Sequence, residues 1–385
     1  MTSRSKYSAL FLLLAFVVFI SSCVEEIPLD SENFEDAIVI EALVTNELKK
    51  HEVKLSQAFE IDSTGPNPLA GADIRVTGDR DYVFQEVEPG RYLSIDSFAA
   101  HPGIEYQLNI RVDDREFRSE PTKLSGNSDI GELEANRINY RGEDGVAITL
   151  TNESSPDGAN YYKYEYVETF KFNSNYQKFK DLILVDGEPV EVPKQKEEYT
   201  CYQTNDSQEI IVANTNSLSE DSVNNLLIKF IDSKNPSLSN RYSLLIKQYV
   251  ISRKSYNYYK ILEELSGSDN IFSQSQPGFF DGNIQSTNNP DENVIGFFNV
   301  SSVATKRIYF NYGDFYDPQG IRPRFVSFDL CEETFPDYAT LISELERNAV
   351  RWSGVTPGGG FLVVPRICVD CTLFGTNEKP DFWED

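Results

Sequence analysis

Apolar and polar residues alternate with a period of two over most of the chain beyond residue 36. In the first part of the chain this pattern recurs in short runs separated by turn-forming Pro, Gly and Asp. The runs cover residues 38–44, 52–56, 73–77, 82–86, 91–94, 106–112 and 116–119. Strands that follow one another every eight to twelve residues predict an antiparallel sandwich, here of about 90 residues.

This first module spans residues 37–125 and is predicted to be an immunoglobulin-like β-sandwich. Residues 71–76 and 89–92 resemble segments of the prealbumin-like and carboxypeptidase-regulatory modules. A stretch that contains Pro121 and Gly126 then predicts a module boundary.

A larger β-rich, fibronectin-like module is predicted over residues 126–385. A helix is predicted between Ser252 and Gly267, because aromatic and apolar side chains recur there at helical spacing. A second helix is predicted over residues 337–351, whereas residues 173–200 are predicted to be an irregular insertion and the tail to be loop-rich. The predicted strands of this module cover residues 145–151, 161–172, 209–213, 226–231, 241–252, 293–300 and 306–312.

The predicted strand over residues 161–172 carries a ladder of five aromatic side chains on one face. They are Tyr162, Tyr164, Tyr166, Phe170 and Phe172. The ladder is either the core face of the sheet or an exposed platform on which sugar rings stack. We favour the core face, because large aromatic side chains of a sheet are more often buried than exposed.

Arg4 and Lys6 lie near the start of the chain. An unbroken apolar run over residues 9–20 follows them and leads into Ser21-Ser22-Cys23. This run is too short to cross a bilayer as a helix but is typical of a secretory signal. Two small residues before a cysteine predict a bacterial lipobox, so residues 1–22 are predicted to be a lipoprotein signal peptide and Cys23 the lipidation site. The alternative is an ordinary signal followed by a Cys23 that forms a disulfide.

Residues 23–36 are acidic and poor in apolar residues, which predicts an extended, solvated tether. Glu25 and Glu26 lie just after the cysteine and resemble the export signal that sends Bacteroidetes lipoproteins to the outer face of the outer membrane. We therefore expect a protein anchored in the outer membrane by its N-terminal lipid and facing the cell exterior, and the alternative is a protein on the periplasmic face.

Charge and composition exclude several classes of function. The formal net charge is −26, so the chain is not expected to bind nucleic acid or to lie flat on an anionic leaflet. The only two histidines are His51 and His101, and no zinc-protease, serine-hydrolase or phosphate-loop motif is present. We therefore expect no catalytic residue, although 61 acidic residues leave room for an unrecognised carboxylate pair.

Besides Cys23 the chain contains Cys201, Cys331, Cys368 and Cys371. In an exported protein these four predict two disulfides, for which three pairings exist. A zinc half-site or a redox pair at Cys368 and Cys371 is the alternative. A ring between Cys368 and Cys371 would be strained, so each is expected to pair with a distant cysteine.

Two kinds of binding site are open from the sequence. Asp314, Asp317, Glu143 and Asp144 offer oxygen ligands that suit calcium, but they do not have the spacing of a calcium loop, so neither a metal site nor a cofactor is predicted. Aromatic pairs in loops either anchor a partner or cap the ends of the sandwich. The pairs are Phe279 with Phe280, Phe315 with Tyr316, and Phe382 with Trp383.

Several segments recur in an order that resembles a known family. They are Cys23 with Glu25-Glu26, residues 39–42, 68–72, 242–244, 252–259, 276–277, 282–284, 295–298 and 368–371, Gly375, and residues 379–383. They resemble the four-two-four-nine domain-of-unknown-function family of Bacteroidetes outer-membrane lipoproteins. The resemblance implies a non-catalytic lipoprotein that works with a TonB-dependent outer-membrane receptor, and it brings no catalytic residues.

The leading hypothesis is therefore an accessory or cargo-capture subunit of a TonB-dependent transporter, with an unknown ligand. The first alternative is a stand-alone glycan- or protein-binding adhesin, which exposed Tyr162, Tyr164 and Phe170 would favour. The second is a surface hydrolase, which needs two acids that face one cleft at a separation of about 5–10 Å.

Overall fold

The computed structural model describes residues 37–58, 65–152, 158–215, 225–266 and 282–385. The predicted signal peptide, Cys23, the tether, Phe279 and Phe280 lie outside these residues. The described part of the chain is mainly β with two α-helices, which confirms the predicted mainly β class. None of its helices has both the length and the apolar character needed to cross a membrane.

The described residues form 21 strands, two α-helices and five short 3₁₀ helices. Strands β1 to β8 are Ile38–Thr45, Glu52–Gln57, Asn67–Pro68, Asp73–Thr77, Asp81–Glu88, Arg91–Ser94, Gln107–Val112 and Arg115–Ser119. Strands β9 to β17 are Ile130–Tyr140, Glu143–Asn152, Tyr161–Asn173, Lys180–Val185, Glu188–Pro193, Thr200–Asp206, Ile211–Asn214, Leu226–Asp232 and Arg241–Val250. Strands β18 to β21 are Ile284–Ser286, Val294–Asn311, Val350–Val355 and Phe361–Pro365. Helices α1 and α2 are Arg253–Ser266 and Tyr338–Glu346, and the 3₁₀ helices are Pro236–Leu238, Tyr312–Asp314, Phe328–Leu330, Arg366–Cys368 and Cys371–Leu373.

One hydrogen-bonded sheet runs through both predicted modules in the order β14-β11-β17-β19-β1-β2-β6-β5-β4-β7-β8-β18. The first part of β19 pairs in parallel with β1, and its second part pairs antiparallel with β17. The strand is 18 residues long, so the two strands predicted at 293–300 and 306–312 are one. Polar residues in the middle of this strand interrupt the apolar pattern, so it was predicted as two strands. Ser302 there is buried and donates a hydrogen bond to the Gly126 carbonyl at 2.6 Å.

The side chain of Asn283 links the two end strands of the first module's sheet, β18 and β19. Asn283 lies just before β18 and is 2% exposed. Its amide accepts a hydrogen bond from the Phe298 backbone N–H at 2.7 Å and donates one to the Phe298 carbonyl at 2.9 Å. Gly282 permits this close approach, because a Cβ there would lie 1.7 Å from the Gly296 carbonyl oxygen. The module predicted to be immunoglobulin-like is thus one continuous sheet, from β19 through β1 to β18, that wraps around its own core.

That core draws on two distant parts of the chain. Ile38 and Ile40 of β1 pack with Ile284, Val294 and Phe298, which were predicted to lie in the second module. The described residues between 37 and 125 therefore pack as one unit with residues 282–301, and β19 continues from this unit into the second module. A parallel pairing over so long a chain separation leaves no local signature in the sequence.

The second module packs the long sheet against a three-stranded sheet, β16-β10-β9. Ile148 and Leu150 of β10 meet the aromatic ladder of β11 across this core. All five aromatic residues of the ladder are at most 4% exposed, which confirms the core interpretation. Strand β9 was not predicted, because its outer face is polar and it directly follows the expected module boundary.

The two α-helices lie where they were predicted, with one change in length. Helix α1 follows Ser252, whose Oγ accepts a hydrogen bond from the Ser255 N–H at 3.1 Å. Helix α2 follows Asp337, whose side chain accepts one from the Thr340 N–H at 3.0 Å. It ends at Glu346, earlier than predicted, because Asn348 adopts a φ of +56° and the chain continues as β20.

Residues 173–200 were predicted to be irregular, but they contain the β12–β13 hairpin. Its two turn residues, Asp186 and Gly187, have φ values of +52° and +84°. Asp-Gly between alternating apolar residues is a strong local signal for a hairpin turn. The hairpin could therefore have been predicted from the sequence.

A small lobe forms from the β12–β13 hairpin, helix α2 and the β20–β21 hairpin. Its core contains Leu182, Leu341, Val350 and Val363. The turns that carry the C-terminal cysteines pack beside it around Val364. We call residues 179–193 and 321–385 the terminal lobe.

Candidate functional site

Exposed apolar side chains are concentrated on the terminal lobe. Of the 19 large apolar side chains that the described residues leave exposed, 13 lie there, and Ile321, Phe179 and Leu330 are 92%, 73% and 64% exposed. Because contiguous exposed apolar surface often marks a site of interaction, this concentration makes the terminal lobe the candidate interaction surface. We call these 13 side chains the apolar surface. They are Phe179, Ile183, Val185, Val190, Ile321, Phe328, Leu330, Phe335, Tyr338, Val355, Ile367, Leu373 and Phe382.

Two disulfides stabilise the lobe that carries this surface. Cys201 of β14 is bonded to Cys371, and Cys331 is bonded to Cys368. Each member of the Cys-x-x-Cys segment thus pairs with a distant cysteine, as predicted, and all four thiols are consumed. The first bond joins the lobe to strand β14 of the long sheet across 170 residues of chain. The apolar surface therefore lies on a cross-linked scaffold.

A buried ion-pair network lies beside the disulfides. Asp370 is 0% exposed and accepts hydrogen bonds from Arg366 at 2.7 Å and Arg351 at 3.4 Å. Arg351 also pairs with Glu198 of the insertion at 3.4 Å. Burial alone would raise the pKa of Asp370, but hydrogen bonds from Thr372 and Arg366 outweigh this effect and hold the pKa below its ordinary value. The network therefore fixes the lobe to the insertion with charges that compensate one another.

Phe315 and Tyr316, which were predicted as partner anchors, are partly buried against the core of the second module. The Phe315 ring meets Phe310 edge to face at 5.3 Å between centroids. Arg137 lies over the Tyr316 ring, 4.5 Å from its centroid. These contacts are those expected of residues that cap the end of a sandwich.

Phe382 and Trp383 lie on residues 379–385, which we call the terminal strap. Trp383 is 4% exposed and its ring meets that of Tyr202 edge to face at 5.1 Å. Phe382 is 39% exposed, and Arg307 covers one face of its ring at 3.8 Å. Trp383 thus anchors the strap, while Phe382 contributes to the apolar surface.

A carboxylate that was not among the predicted site residues lies on the aromatic face of β11. Glu168 is 9% exposed and accepts hydrogen bonds from Tyr242 at 2.6 Å and Asn205 at 3.0 Å. Lys229 lies 2.9 Å from the same carboxylate. Burial, and then the charge of Glu168, raise the pKa of the Tyr242 hydroxyl well above its ordinary value. Alternation alone could have placed Glu168 in the core, since it interrupts the aromatic ladder.

Three of the four acids considered for calcium take part in local structure. Asp144 forms an ion pair with Arg137 at 2.8 Å. Asp314 accepts a hydrogen bond from the Asn311 N–H at 2.7 Å, and Asp317 accepts one from the Gln319 N–H at 2.9 Å. Within the described residues, no group of three or more His, Cys, Asp or Glu side chains is placed to hold a metal ion.

The terminal lobe could not be recognised as an interaction surface from the sequence. Its apolar residues have the composition of core strands, and the sequence pattern does not tell which of them face solvent. Leu182 is buried while Ile183, its neighbour on β12, is 44% exposed. Both fit the alternation of a strand, so only the packing of α2 and β20 decides which face is covered.

The chain belongs to a family of unknown function. The family described as Domain of unknown function (DUF4249) matches residues 24–307, which is well over half of the chain. This confirms the predicted family membership. The match ends within β19, so most of the terminal lobe, including the Cys368 to Cys371 segment, lies beyond it. No curated protein matches this chain.

Proposed function

We propose that this protein is a surface-exposed lipoprotein of the outer membrane that acts as a non-catalytic accessory or cargo-capture subunit of a TonB-dependent transporter. The lipid on Cys23 holds it at the membrane, and the tether over residues 23–36 lets the folded body reach a neighbouring receptor. Tethering raises the effective concentration of one partner near the other to the millimolar range for short flexible linkers. A modest interface is therefore sufficient.

The observation that carries the proposal is the apolar surface of the terminal lobe. Binding interfaces gain most of their free energy from a few large apolar or aromatic side chains that become fully desolvated. Phe179, Leu330 and Phe335 are each more than 60% exposed and stand on a lobe cross-linked by two disulfides. Because the disulfides constrain the backbone of the lobe, little backbone entropy is lost when a partner covers these side chains.

The adhesin alternative loses the feature that would have favoured it. Tyr162, Tyr164 and Phe170 are buried in the core of the second module and cannot stack against a sugar. The hydrolase alternative also gains no support from Glu168, the most deeply placed acid of the aromatic strand, because Tyr242, Asn205 and Lys229 occupy its carboxylate.

Copurification tests the partnership. An affinity-tagged chain, solubilised from membranes in mild detergent, is expected to bring down a TonB-dependent receptor. The double variant Ile321→Ser/Leu330→Ser removes two exposed anchors and should reduce the recovered receptor at least about tenfold, which corresponds to about 1.4 kcal/mol of binding free energy. Recovery of the wild-type chain alone would overturn the proposal.

Leu48 supplies the matched control. It is 77% exposed and lies in the first module, outside the terminal lobe. Leu48→Ser makes the same chemical change and should leave receptor recovery unaltered. Equal losses for Leu48→Ser and the lobe variant would mean that general surface apolarity, and not the lobe, holds the partner.

Anchoring has a separate test. Metabolic labelling with a fatty-acid probe should mark the parental chain and leave Cys23→Ser unmarked. If both proteins are equally unlabelled and shed from the cells, the membrane role proposed here is wrong.

A further inference from the structure

A basic pocket lies where three central strands of the second module end. It has a volume of about 300 Å³ and is bounded by the end of β11, the start of β17 and the end of β19. Lys171, Arg241 and Arg322 bring three cations to it, and Asp385 of the terminal strap supplies the single acid. In a chain with a formal net charge of −26, a pocket with this excess of positive charge is unexpected.

Two of the three cations have no carboxylate partner among the described residues. Arg241 donates to the Glu384 carbonyl at 2.6 Å and to the Asn311 side-chain oxygen at 3.1 Å. Arg322 donates to the Asn240 side-chain oxygen at 2.7 Å. Each guanidinium also lies over an aromatic ring, Arg241 over Tyr309 at 5.0 Å and Arg322 over Tyr312 at 5.4 Å from the ring centroid, so both are held at the pocket by neutral groups.

The third cation is already bound to a carboxylate. Lys171 lies 3.2 Å from the Asp385 side chain, which also pairs with Lys379 at 2.7 Å. Hydrogen bonds from Lys379 and then Lys171 lower the pKa of Asp385 to about 2. The strap therefore places an ionised carboxylate at the edge of the pocket, where it competes with any anion for Lys171.

We propose that this pocket binds a compact organic dicarboxylate, which displaces the side chain of Asp385 from Lys171 and meets Arg241 and Arg322. Planar guanidinium groups match carboxylates geometrically and bind them in a bidentate manner. The side-chain amides of Asn173, Asn240 and Asn311 also line the pocket. They offer neutral hydrogen bonds to hydroxyl groups carried by such a molecule. The volume lies at the lower end of the range for ligand sites, which limits the ligand to a small molecule.

The proposal stands apart from the accessory role, since a dicarboxylate can bind whether or not a receptor is present. Isothermal titration of the purified protein with succinate and with citrate tests it, and inorganic phosphate serves as an anion of different geometry. The parental protein should bind a dicarboxylate saturably at one site, and Asp385→Asn should bind it at least about tenfold more tightly. Arg241→Gln and Arg322→Gln should each weaken binding at least about tenfold.

Arg91→Gln is the matched control, because Arg91 is a partly exposed arginine of the first module that pairs with two surface acids, Glu52 and Glu88, and does not line the pocket. It should bind like the parental protein. Thermal unfolding checks that the variants are folded, and if Arg322→Gln is not, then Arg241→Gln and Asp385→Asn decide the matter. Absence of saturable binding in both the parental protein and Asp385→Asn would overturn the proposal. So would binding of phosphate as tight as that of the dicarboxylates, or an unchanged affinity in folded Arg241→Gln.

Discussion

Removal of the amide that closes the first module should destabilise the protein strongly. Asn283→Ala would leave both backbone groups of Phe298 without their partners, in a strand residue that is 0% exposed. An unpaired buried donor or acceptor costs about 1–3 kcal/mol, so the two together should lower the free energy of unfolding by about 2–6 kcal/mol. This is a large part of the stability of a typical domain, which is about 5–15 kcal/mol.

Equilibrium unfolding in guanidinium chloride measures this loss, and Asn377→Ala controls for the removal of an amide. Asn377 donates to the Glu197 carbonyl at 2.7 Å at an exposed position, so its loss should cost less than about 1 kcal/mol. A free energy of unfolding for Asn283→Ala within about 0.5 kcal/mol of that of Asn377→Ala would refute the idea that this side chain closes the sheet.

Gly282→Ala tests the same closure by sterics. The added Cβ would lie 1.7 Å from the Gly296 carbonyl oxygen, so the two segments must separate. Gly354→Ala on β20 is the control, because its Cβ would meet only Leu362 side-chain atoms at 3.6 Å and beyond. Gly282→Ala should unfold at a clearly lower denaturant concentration than Gly354→Ala. Equal midpoints would contradict the close approach of the two glycines.

Two further predictions concern the disulfides and pH. The bonds Cys201–Cys371 and Cys331–Cys368 close loops of 170 and 37 residues. In the chain-entropy account, replacing the first pair by Ser should therefore lower the free energy of unfolding by about 5 kcal/mol and replacing the second pair by about 4 kcal/mol. Chemical denaturation should rank the variants in that order, and the reverse order would contradict the account. Burial lowers the pKa of His51 to about 4, below its ordinary value of 6.5, so its contribution to stability is complete above pH 6.5 and is lost as the pH falls toward 4. The parental protein should therefore lose about 3 kcal/mol more stability over this range than His51→Gln in a pH series of unfolding curves, and parallel curves would show that His51 does not titrate in this way.

Local patterns predicted local structure well. Alternation placed the aromatic ladder of β11 on one face, the core was favoured because large aromatic side chains are more often buried, and Tyr162 and Tyr164 are indeed fully buried. Ser252 was a good predictor of the start of α1, because an N-cap hydroxyl acts within one turn. The pairing of Cys368 and Cys371 with distant cysteines followed from ring strain.

Long-range pairing was not predictable in the same way. Ile38 pairs with Val294, and no periodicity relates residues so far apart in the chain. The role of Asn283 depends on the carbonyl and N–H of Phe298, which any residue type would offer. The basic pocket likewise assembles Lys171, Arg241 and Arg322 from three separate segments, each of which is unremarkable alone.

Site-specific photo-crosslinking in intact cells tests the role of the terminal lobe most directly. A photoreactive residue at Phe179 or Leu330, both exposed on the lobe, should form a covalent adduct with a TonB-dependent receptor. The same residue at Leu48, which is equally accessible on the first module, should form none. Adducts of equal yield at Leu48, or no receptor adduct at either lobe position, would contradict the assignment of the apolar surface as the docking site.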